Sequence, residues 1–198
     1  MILETIVTTR NADGSVNIAP MGPHCDDPEM ATFELRPFCS SKTWQNLKRT
    51  RQGILHITDD VRVFARAATG VAQDLECEAG LRVDVDRLAD CCRYYEFRVT
   101  WLDESRDRAS LHCRTVHAGR QRDFLGFQRA RHAVIEAAIL ATRIDFLPLM
   151  ELQSQFEDLE RLVIKTGGIQ EQEAFRCLQD FLQKTRQSDP AAGVEPTS

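Results

Sequence analysis

The sequence predicts an α+β fold, mainly β with helices, in which a β-rich unit over residues 1–124 precedes a small helical bundle over 125–187. Two patterns carry this reading. Residues 2–21 and 95–119 alternate β-branched or aromatic residues with polar ones, and each stretch is broken by a polar turn. Beyond residue 124 the apolar residues recur three and four positions apart, the period of a helix with one buried face. The tail SDPAAGVEPTS, residues 188–198, is expected to be disordered.

In chain order, ILETIVTTR and VNIAPM form a hairpin turned at Asp13-Gly14, with Pro20 at the end or edge of the second strand. MATFELRP is a third strand, with Phe33 and Leu35 on one face. Ser40 or Ser41 caps a helix that buries Trp44 and Leu47, and Gly53 closes it. ILHIT is a short strand. A helix follows, capped at Asp59 or Asp60, striped by Val61, Phe64, Ala65 and Ala68, and ended by Gly70. Residues 71–90 read as a strand plus a turn. YEFRVTWL places Tyr95, Phe97, Val99 and Trp101 on one face, and ASLHCRTVHAG returns after the turn DESRDR. Three helices complete the chain: FQRARHAVIEAAILATRI, a second striped by Leu152, Phe156, Leu159 and Val163 and stopped by Gly167, and EQEAFRCLQDFLQKTRQ.

Composition narrows the function classes. The formal net charge of -5 gives no global pull toward nucleic acid or an anionic membrane, so an anionic ligand needs a local site. No apolar run is long enough to span a bilayer, and MILETIVTTR lacks the basic and apolar regions of a signal peptide. Seven cysteines, an odd number without a CxxC, fit a reducing cytoplasm.

The chemistry concentrates in RPFCSSKTWQNLKRTRQG, residues 36–53. A strand ends in an arginine, and a loop carries two serines, a lysine and a threonine into the first turn of a helix. Unpaired amides, the positive end of the helix dipole, hydroxyls and two cations together suit a monophosphate. The same residues also read as an ordinary N-cap with exposed basic neighbours.

The order of elements and the motif S-x-T-x-x-N-L at Ser41, Thr43, Asn46 and Leu47 resemble the flavin reductase-like and pyridoxamine-phosphate-oxidase-like split-barrel flavoproteins. Within that superfamily the resemblance is nearest to an uncharacterised, domain-of-unknown-function family of FMN-binding split-barrel proteins. It spans most of the chain and includes the helix FQRARHAVIEAAILATRI. The resemblance implies a split β-barrel, FMN as cofactor and a homodimer with the flavin at its interface. It implies that Arg36, Ser40, Ser41, Lys42 and Thr43 grip the FMN phosphate, and that Asn46 braces the loop or reaches the ribityl chain. Ala19, Pro20, Met21 and Gly22 would line the isoalloxazine. Ile57, Thr58 and Asp59 would offer backbone groups to its pyrimidine edge. No motif for gripping a nicotinamide nucleotide is present.

Other polar groups read as structural. His24, Cys25, Asp26 and Asp27 are adjacent in one loop, without the ligand spacing of a metal site. His112 and Cys113 point to opposite faces of a strand. Between Asp103 and Arg131 seven arginines stand against four acids. This reads as a solvated surface, with Arg129 or Arg131 reaching a flavin phosphate or substrate anion as a sharper alternative and RNA binding as a disfavoured one. The leading expectation is a redox flavoprotein with an unknown small-molecule substrate. An FMN carrier or sensor without turnover, and a cofactor-free dimeric interaction module, are the alternatives.

Overall fold

The computed structural model describes residues 1–72, 74–144 and 146–188. Eight strands and five helices follow in the order β1 (Thr5–Arg10), β2 (Val16–Met21), β3 (Thr32–Leu35), α1 (Lys42–Thr50), β4 (Gln52–Ile57), α2 (Val61–Ala68), β5 (Cys77–Ala79), β6 (Asp86–Leu88), β7 (Arg93–Asp103), β8 (Ser110–Arg120), α3 (Arg129–Ala141), α4 (Leu149–Thr166) and α5 (Ile169–Ser188). Six strands form one antiparallel sheet in the order β2-β1-β4-β7-β8-β3, and β5 and β6 form a separate pair. The sheet does not close. Single bridges, Ile2 with His24 and His24 with Glu34, span the gap between the start of the chain and β3.

The inner face of the sheet buries Val7, Phe33, Leu35, Leu55, Phe97 and Leu111, and α1 covers them with Trp44 and Leu47. On the outer face, Ile6 packs against Val63 and Phe64 of α2 and Leu88 of β6. The other side of α2, Val61 and Ala65, sits in the core of the helical bundle with Val134, Phe156, Phe175 and Leu178. Both long sides of α2 are therefore buried, one against the sheet and one against the bundle. The alanines of α3 at 130, 133, 137, 138 and 141 are all buried. Their small side chains let neighbouring helices approach closely.

Two buried polar residues lock the β5–β6 excursion onto the sheet. His56 is fully buried, with Nδ1 3.2 Å from the Ile6 carbonyl and Nε2 accepting the Leu88 amide at 3.1 Å. That pair of contacts fixes the neutral tautomer, with the proton on Nδ1. Burial lowers its pKa to about 3. Glu96, also fully buried, accepts the amides of Leu81, Arg82 and Val83 at 2.8, 2.5 and 3.1 Å.

Several expectations need correction. Gly53 does not close α1. Arg51 takes the left-handed position, φ 57°, and its amide bonds the Leu47 carbonyl. Gly53 lies in β4, where a Cβ would stand 2.7 Å from the Phe97 ring, so the glycine serves a close approach. Trp101 does not share the buried face of Tyr95, Phe97 and Val99. A register shift between Val99 and Trp101 breaks the alternation, leaving Trp101 50% exposed and Leu102 packed on the core. Helix α3 starts at Arg129, capped by the Gln128 side chain, and stops at Ala141. The described residues between 71 and 90 include two strands, each of three residues. Ser188 ends α5, and the remainder of the expected tail, 189–198, lies outside the described residues.

Candidate functional site

A cleft of about 1150 Å³ opens beside β2, the edge strand of the sheet. One wall is the α1 face of Ser41, Lys42, Thr43, Gln45, Asn46 and Arg49, with the β1–β2 turn beside it. The opposite wall comes from the end of α2 and the chain after it: Ala67, Gly70, Ala72, Leu75 and Cys77. Val16 to Ala19 form the floor.

The floor is polar although its side chains are mostly apolar. Pro20 pairs opposite Ile6 within β2. A proline nitrogen has nothing to donate, so within a sheet it faces the free edge. Strand alternation then turns the N–H and C=O of Ile18 the same way, into the cleft.

At the start of α1, the Ser41 hydroxyl accepts the Trp44 amide at 3.2 Å and donates to the Phe38 carbonyl at 2.7 Å. This is the N-cap geometry, and it leaves the amides of Lys42 and Thr43 without helical partners. Thr43 Oγ1 accepts from Asn17 Nδ2 at 3.1 Å and keeps its own proton to give. Asn46 is buried and donates to Thr9 Oγ1 at 3.1 Å and Asn11 Oδ1 at 2.8 Å, which fixes α1 to β1 and its turn. Two cations, Lys42 and Arg49, and one carboxylate, Asp13, line the cleft. Neither cation forms an ion pair among the described residues. Asp13 is fully exposed. Hydrogen bonds from the Ser15 hydroxyl and amide hold its pKa below the usual carboxylate range, with a lesser contribution from Lys42. The cleft is thus a cationic spot in a chain of net charge -5.

Of the residues singled out in the sequence, Ala19, Ser41, Lys42, Thr43 and Asn46 meet at this cleft. The others lie outside its lining. Arg36 pairs with Glu34 at 2.6 Å, and Ser40 is exposed on the turn before α1. Pro20 and Met21 continue β2 beyond the cleft, and Gly22 sits against the Ile2 side chain. The carbonyl of Ile57 accepts the Cys92 amide at 2.8 Å, and Thr58 Oγ1 accepts the Asp60 amide at 3.1 Å. Sequence reading missed Asn17, Gln45, Arg49 and the whole α2–β5 wall. Arg49 carried a signal, since it lies seven residues after Lys42 and hence on the same helix face. The wall carried none.

Asp59 belongs to a second charged centre. Its buried carboxylate takes Arg122 Nη1 at 2.5 Å, Arg131 Nη1 at 3.1 Å and the Leu125 amide at 3.1 Å. Arg131 Nε reaches Glu171 at 3.1 Å, and Glu171 in turn accepts the Gly168 amide at 2.8 Å. Burial pushes the Asp59 carboxyl up, but the Leu125 amide and the two guanidinium groups outweigh it and hold its pKa below the ordinary value. Arg131 is therefore committed to this junction between sheet and bundle, away from the cleft. Among the described residues no group of three or more His, Cys, Asp or Glu is placed to hold a metal ion, and no helix is long and apolar enough to cross a membrane.

Comparison with known proteins bears on this arrangement. Residues 3–122 match the profile described as the N-terminal domain of a protein of unknown function (DUF447), and residues 128–180 match the profile described as protein of unknown function (DUF447). The fold is similar to that of an FMN-bound protein from Methanosarcina mazei of the same family, at TM-score 0.78 and 22% identity, covering 91% of this chain and 94% of that one. A 2-nitrobenzoate 2-nitroreductase from Pseudomonas fluorescens superposes at TM-score 0.51 and 20% identity, over 60% of this chain and 64% of that one. A putative flavin reductase from Haemophilus somnus gives TM-score 0.51 and 13% identity, over 60% and 80%. At these identities the likeness is one of architecture.

Proposed function

The chain belongs to the DUF447 family, and from that premise we propose that it is an FMN-binding protein, a redox flavoprotein of flavin reductase-like type. The observation that carries the reading is the cleft itself. It joins the first two amides of α1, which lack helical partners, the Lys42 ammonium and the Thr43 hydroxyl to the free edge of a strand. The FMN-bound relative of the same family and the flavin reductase-like neighbours add support.

The residues present fit the group. The amides of Lys42 and Thr43, the Thr43 hydroxyl and the Lys42 ammonium would hold the phosphate. The outward N–H and C=O of Ile18 suit the hydrogen-bonding edge of the flavin pyrimidine. Ala67, Ala72, Leu75 and Cys77 give the ring an apolar wall that restricts water. FMN, when bound, supplies the electron transfer, and the protein supplies orientation and environment. The seven free thiols support a reducing compartment such as the cytoplasm. The exposed Phe124, Leu125 and Phe127 support association of two copies, which sedimentation at low micromolar concentration would show as twice the chain mass.

The protein should purify yellow, with bands near about 375 and 450 nm from the flavin. Because a charge-assisted contact contributes about 1.5–3 kcal/mol, FMN should bind at least about tenfold more tightly than riboflavin. Lys42→Ala should erase most of that difference. Equal affinity of the wild type for both flavins would overturn the phosphate anchor. Bleaching on addition of NADH or NADPH would support the redox reading, and its absence with every common reductant would favour a carrier.

A further inference from the structure

We propose that the open outer face of β7, β8 and β3 binds single-stranded nucleic acid, with a base stacked on Trp101 and phosphates paired with Arg98 and Arg114. The proposal is independent of the flavin reading. It concerns the end of the sheet at β3, whereas the cleft lies beside β2 at the other end.

The outer face is covered unevenly. Helix α2 packs on it at Ile6 of β1, and Val83 and Val85 pack on Ile54 of β4. From Arg98 of β7 onward the side chains on it are exposed. Arg98, Trp101, His112 and Arg114 share this side, because Phe97, Val99, Leu111 and Cys113 beside them are buried in the core behind the sheet. Pairing with β3 carries the face on in a single register. Thr32 stands opposite Arg114, Glu34 opposite His112, and Phe38 opposite Arg108 just past the strand ends. From Arg108 to Arg114 the face runs about 20 Å. Strand alternation alone would bury Trp101, which is why the sequence disfavours RNA here. The register shift after Val99 brings the indole out.

Charge on this face is unbalanced. Arg98 and Arg114 stand directly opposite each other on neighbouring strands. Like charges so placed are destabilising, and neither forms an ion pair among the described residues. Arg98 Nη2 donates to the Arg82 carbonyl at 3.1 Å, which holds the guanidinium without neutralising it. Arg108 likewise donates to a carbonyl, that of Arg36, at 3.3 Å. The carboxylates in register with the face are already engaged. Glu34 takes Arg36 at 2.6 Å and the Ser110 hydroxyl, and Asp103 takes the amide and hydroxyl of Ser105 at 3.0 and 2.9 Å. Three arginines are left without a counter-charge, and a chain of phosphates supplies one. Rings lie among these cations. Trp101 and Phe38 are each 50% exposed, Trp101 with the His112 ring at 4.8 Å and Phe38 with the Arg108 guanidinium at 3.8 Å. Each ring is braced by a neighbour and still open to solvent. Exposed rings between cations suit a single strand, whose unpaired bases stack while its phosphates pair. An acidic peptide would satisfy the arginines and leave both rings without a partner.

The test is anisotropy of labelled oligouridylate and oligothymidylate of about 12 nucleotides, with polyglutamate of similar length as the control anion. Trp44, the other tryptophan, is buried, so quenching of protein fluorescence reports on Trp101. Wild type at low salt should bind at least one of the two strands with quenching, and polyglutamate at least about tenfold more weakly. Arg98→Gln combined with Arg114→Gln should weaken strand binding by about tenfold or more. The same pair should flatten the dependence of log Kd on log salt by about 1.4, the share of two phosphate contacts on a single strand. Trp101→Ala should weaken binding by about fivefold or more without changing that slope, and Trp101→Phe should recover part of the loss. Cooperative denaturant unfolding shows that each variant is folded. A preference for one strand supports the proposal and tells whether the 2′-hydroxyl is read. Absence of binding to both strands, polyglutamate bound as tightly as either, or an unchanged salt slope in the double variant would overturn it. So would a dimer in which Trp101 is shielded from acrylamide, because a second copy would then occupy the face.

Discussion

At the junction between sheet and bundle, Asp59, Arg131 and Glu171 have side chains only 3%, 15% and 6% exposed, and each is matched to partners of opposite charge or to backbone amides. In the cleft, Lys42 and Arg49 are exposed and form no ion pair among the described residues. Both regions hold arginine or lysine beside a carboxylate, yet one is saturated and the other is not. The saturated centre ties together segments far apart in the chain and is a structural clasp. The unsaturated one leaves charge available to a ligand. They are mechanically connected through α2, whose first residues follow Asp59 and whose last residues form a cleft wall.

The largest way to break this comparison is Asp59→Ala. It removes the one carboxylate that two guanidinium groups and the Leu125 amide share. Arg122 keeps Asp90 and Arg131 keeps Glu171, so the loss is that of the shared charge-assisted hydrogen bonds and of an acceptor for the Leu125 amide, about 1.5–3 kcal/mol. Denaturant unfolding should show that loss, and flavin affinity should fall with it as the α2 wall loosens. Stability within about 0.5 kcal/mol of wild type would show that the clasp is dispensable.

Acid exposes the same contrast between buried and exposed groups. The folded pKa of His56, about 3, lies below its ordinary 6.5, so the unfolded state binds the proton more readily. Its contribution is complete above pH 6.5 and is lost as pH falls from there toward 3, with a slope approaching about 1.4 kcal/mol per pH unit. Asp59 and Glu171, both held below their ordinary values, add losses only below about pH 4. Unfolding free energy measured between pH 7 and 4.5 should therefore fall, and His56→Gln should flatten that slope. An unchanged slope in the variant would assign the acid sensitivity elsewhere.

What the sequence revealed and what it concealed separate along the line between local and distant contacts. The β1–β2 hairpin, the Ser41 cap and the stripes of α2 and α4 follow from residues within a few positions of one another, and the sequence reading found them. Ser41, Lys42, Thr43 and Asn46, which fall within a turn and a half, likewise meet at one cleft. The failures need partners from elsewhere. Gly53 looked like a helix stop, but its smallness answers to Phe97, forty-four residues on. Trp101 broke the alternation because of a register shift that only pairing with β8 reveals. The short strands β5 and β6 are held by His56 and Glu96, whose buried side chains bond amides 13 to 32 residues away. Asp59 finds Arg131 across 72 positions.

The smallest expected effect sharpens the comparison from the other side. Lys42 is exposed, lies in the first turn of α1 and makes no hydrogen bond or ion pair among the described residues. A cation near a helix N-terminus opposes the macrodipole, so its removal relieves a slightly unfavourable interaction. Lys42→Ala should therefore change stability by no more than about 0.5 kcal/mol, in the stabilising direction if at all. The same substitution should weaken FMN binding by about tenfold. The salt dependence should change too, because a screened cation loses its pull on a phosphate as ionic strength rises. FMN affinity of the wild type should drop between low and high salt, and Lys42→Ala should show a shallower drop. A variant that loses stability together with affinity would place Lys42 among the structural charges, with Asp59 and Arg131. One that keeps its stability and loses the flavin would mark it as a residue held in reserve for the ligand.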